Sequence, residues 1–261
     1  MNPLSPLFLA ALVLATGILL PPAAAQAREI YDLKFYQLKS DEKAALFDKA
    51  MEEAAIPALK GGGASTVGVF RERADGQAET NSATRYVLTV YPSPQAYAGA
   101  LTHDYGDVDF GDHLPYLFGG KDDAAFERVE GSLMLAFDGF PALVDPEGDG
   151  GDDRYFELRT YESPSEGKAV LKVEMFNKGE LDIFEKVGLT SVFYGQAVVA
   201  PNLPQLTYMV VYENEDAQQA AWDAFRTSPD WEKLKGEERY ADTVSNITSK
   251  FLVALPYSGI R

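Results

Sequence analysis

Ile30-Tyr31-Asp32-Leu33-Lys34-Phe35-Tyr36 and Tyr155-Phe156-Glu157-Leu158-Arg159-Thr160-Tyr161 follow one pattern. At matching steps each has an aromatic or aliphatic residue, an acid, a leucine, a base and a tyrosine. The register continues downstream. Glu42-Lys43-Ala44 falls near Gly167-Lys168-Ala169, and Ser65-Thr66-Val67 near Thr190-Ser191-Val192. After a small deletion, Val87-Leu88-Thr89-Val90-Tyr91 pairs with Tyr208-Met209-Val210-Val211-Tyr212. Ser132-Leu133-Met134-Leu135 then pairs with Ser249-Lys250-Phe251-Leu252. Matches kept in one order over this distance read as a tandem duplication.

Each copy reads strand, helix, strand, strand, helix, strand. In the second, Tyr155 to Tyr161 alternates as a strand, and Lys168 to Lys186 carries Leu171, Met175, Phe176, Ile183 and Val187 at helical spacing. Leu189 to Val199 and Leu206 to Tyr212 are β-rich runs joined by a turn at Pro201-Asn202-Leu203-Pro204. Ala217 to Arg226 forms a second helix, and Ser228-Pro229 ends it and starts another turn. Ile247 to Leu255 closes the unit. The order is that of a split βαβ, or ferredoxin-like, unit. One sheet face of such a unit is covered by helices and the other is bare. An exposed apolar sheet face is costly, so two units in one chain are expected to bring their sheets together as an α+β barrel with helices outside.

The expected divisions are residues 1–27, 28–143, 144–153 and 154–261. The first resembles a secretory signal peptide: an apolar run from Leu4 to Leu20, then Pro21-Pro22 and the small-residue stretch Ala23-Ala24-Ala25-Gln26-Ala27. Cleavage after Ala25 and cleavage after Ala27 fit equally, and the mature protein is expected in the periplasm or outside the cell. Asp145 to Asp153, rich in Gly and Asp, reads as a flexible acidic linker, and its spacing fits no EF-hand loop. The net charge of −17 argues against nucleic-acid partners and anionic membrane surfaces. With no cysteine, disulfides, thiolate nucleophiles and cysteine-ligated metals are excluded.

If Phe156 and Leu158 face the helices, strand alternation sends Glu157, Arg159 and Tyr161 into the barrel. The same parity sends Asp32, Lys34 and Tyr36 there from the first copy, joined by Tyr208, Tyr212 and Tyr91. Such a lining can be a set of internal ion pairs, or a polar cavity for a small hydrophobic or anionic ligand with Arg159 as the anion-binding group. His103 and His113, with Asp107 and Asp109 between them, have the composition of a metal site but no known ligand spacing. They are weak candidates, and no metal or other cofactor is expected. Gly61-Gly62-Gly63 lacks the flanking residues of a phosphate loop and reads as a helix stop.

The second copy resembles the NIPSNAP family, of the dimeric α/β-barrel group. The resemblance is carried by Tyr155 to Tyr161 and by Glu166-Gly167-Lys168. It continues through Leu206 to Glu213, Ala221-Trp222-Asp223-Ala224-Phe225-Arg226-Thr227-Ser228-Pro229-Asp230-Trp231 and Leu255-Pro256-Tyr257-Ser258. The first half follows only through the repeat. Many members place a histidine in the third strand where this sequence has Tyr208. The resemblance implies a fused dimeric α/β barrel and a protein that binds a small ligand or a partner, with a homo-oligomer as a further expectation. The wider group also implies an alternative: a cofactor-independent, monooxygenase-like enzyme acting on a hydrophobic or aromatic carbonyl compound.

Overall fold

The computed structural model describes residues 27–73, 83–106, 109–113, 119–146, 151 and 153–261. The signal-like segment, apart from Ala27, and much of the acidic linker lie outside these. Eight β-rich runs become strands: β1 (Ile30–Leu38), β2 (Thr66–Glu72), β3 (Thr84–Tyr91), β4 (Phe126–Ala136), β5 (Tyr155–Glu162), β6 (Thr190–Val199), β7 (Gln205–Tyr212) and β8 (Asn246–Ala254). They form one closed antiparallel barrel in the order β1-β3-β2-β8-β5-β7-β6-β4. Each half lays its strands side by side as fourth, first, third, second. The halves join along their edges, β4 to β6 and β2 to β8, so every strand has two hydrogen-bonded neighbours. Closure removes the unpaired edges that an open sheet would expose.

The helices lie outside and start where side chains can cap them. Ser40 accepts from the Lys43 amide at the head of α1 (Asp41–Ala50), and Ser93 from Ala96 at α3 (Pro94–Ala100). In the second half Ser165 caps α4 (Glu166–Met175), Asn214 caps α6 (Glu215–Thr227), and Ser228 caps α7 (Pro229–Lys235) with Pro229 at its first position. One feature was absent from the sequence reading. In both halves the first helix contains a π-helical turn, Met51–Ala55 and Phe176–Glu180, before continuing as α2 (Ile56–Gly61) and α5 (Leu181–Lys186). The glycine run ends α2 as expected, with Gly63 at φ +103° where a side chain would be strained.

The seam between β2 and β8 is short, running from Phe70–Ala254 to Glu72–Leu252. The chain's last residues extend it. Leu255 N donates to Val69 O, Val69 N to Ser258 Oγ, and Gly259 N to Val67 O. Ile260 is fully buried with the side chains of the barrel interior.

That interior corrects the expected parity. Tyr31, Leu33, Phe70, Leu88, Met134, Phe156, Leu158, Met209 and Leu252 form one cluster drawn from seven strands of both halves, and β6 adds Phe193. Among the described residues no helix contributes to it. The alternate residues lie between sheet and helices: Tyr161, Tyr208 and Tyr212 pack with Phe176, Phe184 and Phe225, and Tyr91 with Phe47 and Met51. Glu157, Arg159, Tyr161, Tyr208, Tyr212, Asp32, Lys34, Tyr36 and Tyr91 therefore sit under the helices and not inside the barrel. The cause is steric and dielectric. Side chains of eight strands converge on the barrel axis, where only apolar groups fill space without needing partners, whereas helix side chains can supply partners on the outer face.

Candidate functional site

Two layers between sheet and helix hold the sequence-derived candidates, and they differ. In the second half the Glu157 carboxylate is 2% exposed and accepts four hydrogen bonds: Arg159 Nη1 at 2.5 Å, Ser249 Oγ at 2.6 Å, Tyr212 Oη at 2.7 Å and Trp222 Nε1 at 3.0 Å. Burial alone would raise its pKa, but the Arg159 charge and the hydrogen bonds outweigh that and hold it below the ordinary carboxylate value. The guanidinium lies over the Trp222 ring at 4.7 Å. Its Nε is buried without a hydrogen-bond partner.

Beside this pair, the Tyr161 and Tyr208 hydroxyls meet at 2.9 Å. A second ion pair, Lys172 Nζ to Glu180 Oε2 at 2.7 Å, is buried to 4% and 2% exposure. Burial raises the Glu180 carboxyl despite the lysine. Phe176 and Phe184 close on Tyr208 with ring centroids 5.5 and 5.8 Å away. The candidates of this half are thus brought together, but as a filled, mutually paired layer. The residues missed by sequence reasoning are Ser249, Trp222, Lys172 and Glu180.

The first half has the same frame with smaller contents. Counted from the caps Ser40 and Ser165, Met51 stands where the second half has Phe176, Ala55 where it has Glu180, Ala58 where it has Ile183 and Leu59 where it has Phe184. Across the sheet, Val87 faces Lys34 as Tyr208 faces Arg159. The volume so released is a cavity of about 460 Å³ under α1 and α2. It is walled by Phe47, Met51, Leu59, Val87, Phe110 and Phe126, with Lys34, Tyr36, Thr89 and Tyr105 as its polar groups. Asp32 pairs with Lys34 at 2.9 Å, and this attraction outweighs burial to raise the lysine's pKa. Burial raises that of Tyr36, which packs on Phe47 and Phe126. Tyr91 stacks edge-on with Tyr97 away from the cavity lining. Comparing side-chain sizes between the aligned halves was the signal that could have found this cavity.

The described members of the weak metal set are each engaged elsewhere. His113 Nε2 lies 2.9 Å from Glu53 Oε2, His103 packs edge-on against Tyr105, and Asp109 caps the amide of Gly111. Asp107 lies outside the described residues. Among the described residues no group of three His, Asp or Glu is placed to hold a metal ion, and no helix is long and apolar enough to cross a membrane.

With this geometry in place, comparison with known proteins adds the following. The family model NIPSNAP matches residues 156–259. No curated protein matches the sequence. Among solved structures, the chain is similar to a protein from Lactobacillus acidophilus provisionally named a monooxygenase, with TM-score 0.55 and 16% identity over 87% of this chain and 94% of that one. A protein from Fusobacterium nucleatum with the same provisional name gives TM-score 0.55 and 14% identity, over 88% and 93%. A NIPSNAP-like domain protein from Burkholderia xenovorans covers 41% of this chain and 90% of its own, with TM-score 0.38 and 18% identity. At these identities the first two establish a shared fold and nothing about chemistry.

Proposed function

The C-terminal half of the chain is a NIPSNAP domain, and from that premise we propose that the protein binds a small, largely apolar molecule in its N-terminal half. The observation that carries this is the cavity of about 460 Å³ beneath α1 and α2, a size and lining typical of small-molecule sites. Its counterpart space in the NIPSNAP half is occupied by Phe176, Phe184 and Tyr208. The two halves are read as copies of one ferredoxin-like unit, joined by the acidic linker, in which one copy stabilises the barrel and the other has been hollowed out for a ligand. The leader-like segment at residues 1–27 makes the protein an exported one. N-terminal sequencing of the protein from its native host should begin at Gln26 or Arg28, and an intact Met1 refutes export by cleavage.

Uptake of phenylnaphthylamine, an uncharged dye that fluoresces in apolar surroundings, tests the ligand site. The wild-type protein should bind it. Met51→Phe with Val87→Tyr, which installs the side chains of the other half, should abolish uptake while the thermal melt stays cooperative. Equal uptake by both proteins, or none by the wild type, sinks the reading.

A further inference from the structure

The charge arrangement of the cavity restricts what it can hold. Among the described residues that line it, Lys34 is the one charged group, and Asp32 lies 2.9 Å from the ammonium. The groups facing Lys34 from the packed elements add no further charge: Phe47, Met51 and Ala55 from the helix, Val87 and Thr89 from β3, and Tyr105 and Phe110 from the loop. The described lining together with Asp32 is therefore neutral. An entering carboxylate would meet a cation already compensated, close to the like charge of Asp32, in a protein of net charge −17. Beside a lysine already paired and 42% exposed, that carboxylate gains little attraction to offset the loss of its hydration.

A neutral oxygen fares differently. The lysine ammonium has three N–H donors, and Asp32 occupies one of them. Tyr36 and Tyr105 line the same wall. In the other half, Arg159 Nη1 is held by Glu157 and the guanidinium is covered by the Trp222 ring beside the paired tyrosines, so no cavity opens onto those donors. Building on the reading of the cavity as a ligand site, we propose that it selects an uncharged apolar molecule bearing one hydrogen-bond-accepting oxygen, such as a ketone, ester or amide. Lys34 donates to that oxygen, and the corresponding carboxylate is rejected.

Displacement of phenylnaphthylamine from the full-length protein by three molecules of one ring system tests this: acetylnaphthalene, ethylnaphthalene and naphthoate. The ketone should displace the dye at about tenfold lower concentration than the hydrocarbon, the worth of one hydrogen bond to a charged donor. Naphthoate should be the weakest. Lys34→Met with Asp32→Asn leaves no orphaned charge and should bring ketone and hydrocarbon to parity without loss of dye binding. Naphthoate displacing as well as the ketone overturns the selectivity and leaves the ligand site standing. A ketone no better than ethylnaphthalene overturns the role of Lys34. Failure of the dye to bind at all removes the site and this inference with it.

Discussion

Removing the Arg159 charge should unfold more of the second half's stability than any surface substitution, and replacing its acid as well should restore most of the loss. Glu157 is 2% exposed and Arg159 18%. Two unit charges about 4 Å apart at an effective dielectric of about 20 attract by about 4 kcal/mol. Breaking a buried pair from one side costs about 3–5 kcal/mol. Because Arg159 keeps some contact with solvent, the lower end applies, and Arg159→Leu should cost about 3 kcal/mol at neutral pH. In a domain of this size that lowers the melting temperature by about 6–12 °C. Glu157→Gln with Arg159→Leu removes the orphaned charge and leaves a carbonyl oxygen to accept from Tyr212 and Trp222, with the amide NH2 able to donate to Ser249 Oγ. About 2 kcal/mol should return, the remainder being the lost hydrogen bond and the contact with Trp222. The pH dependence has a definite sign. In the wild type the lowered Glu157 pKa contributes stability that is present above the unfolded carboxylate value and lost as pH falls through the folded one. Without Arg159, burial dominates, the carboxyl rises above its unfolded value, and the penalty shrinks as pH falls toward about 4.3. Urea melts of wild type, both single variants and the double variant at two pH values give the coupling directly. Additive effects within about 0.5 kcal/mol would refute the account of this layer.

Four further outcomes are expected. Lys172→Met alone should destabilise by about 3 kcal/mol, whereas Lys172→Phe with Glu180→Ala, the residues the first half carries, should recover most of that in thermal melts. Ile260→Ala should cost about 2–4 kcal/mol, since the side chain is fully buried in the barrel. Gly68→Ala, whose Cβ would meet Ile260 Cδ1 at 2.7 Å, should cost about 1–3 kcal/mol and be partly relieved by Ile260→Val in the same melts. Residues 154–261 expressed alone should dimerise or aggregate in light scattering, because the apolar face with Phe156, Leu158 and Met209 would lose its cover; a stable monomer would contradict the barrel's role.

Element positions were legible from apolar spacing and from two marks, Ser228-Pro229 at a helix start and Gly61 to Gly63 at a helix end. The caps at Ser40, Ser93, Ser165 and Asn214 were carried by the same residue types but were not read. The orientation of the strands was not legible. β3 and β7 are buried along their whole length, so alternation separates two faces without saying which turns inward. The acid-base-tyrosine pattern marked the right residues under the wrong roof. The partners that complete it, Trp222 and Ser249, stand far from Glu157 in sequence and carry no local signal of proximity. The π turns at Met51–Ala55 and Phe176–Glu180 left no mark in the apolar spacing either. The cavity was available in principle: Ala55 against Glu180 and Val87 against Tyr208 are differences of size at matching positions of the two sequence halves.

The seam at β2 also has a kinetic meaning. Val67 and Val69 wait for partners at Ser258 and Gly259, at the far end of the sequence. Until those arrive, β2 offers a raw edge, and the interior around Phe70 lies open on that side. Contacts of such long sequence separation form slowly, because loop closure precedes any return from pairing. Refolding should therefore end in a slow phase reported by burial of the tail. During that interval the chain is most exposed to strand exchange with its neighbours. Docking of the tail is then the step that withdraws a sticky strand from circulation.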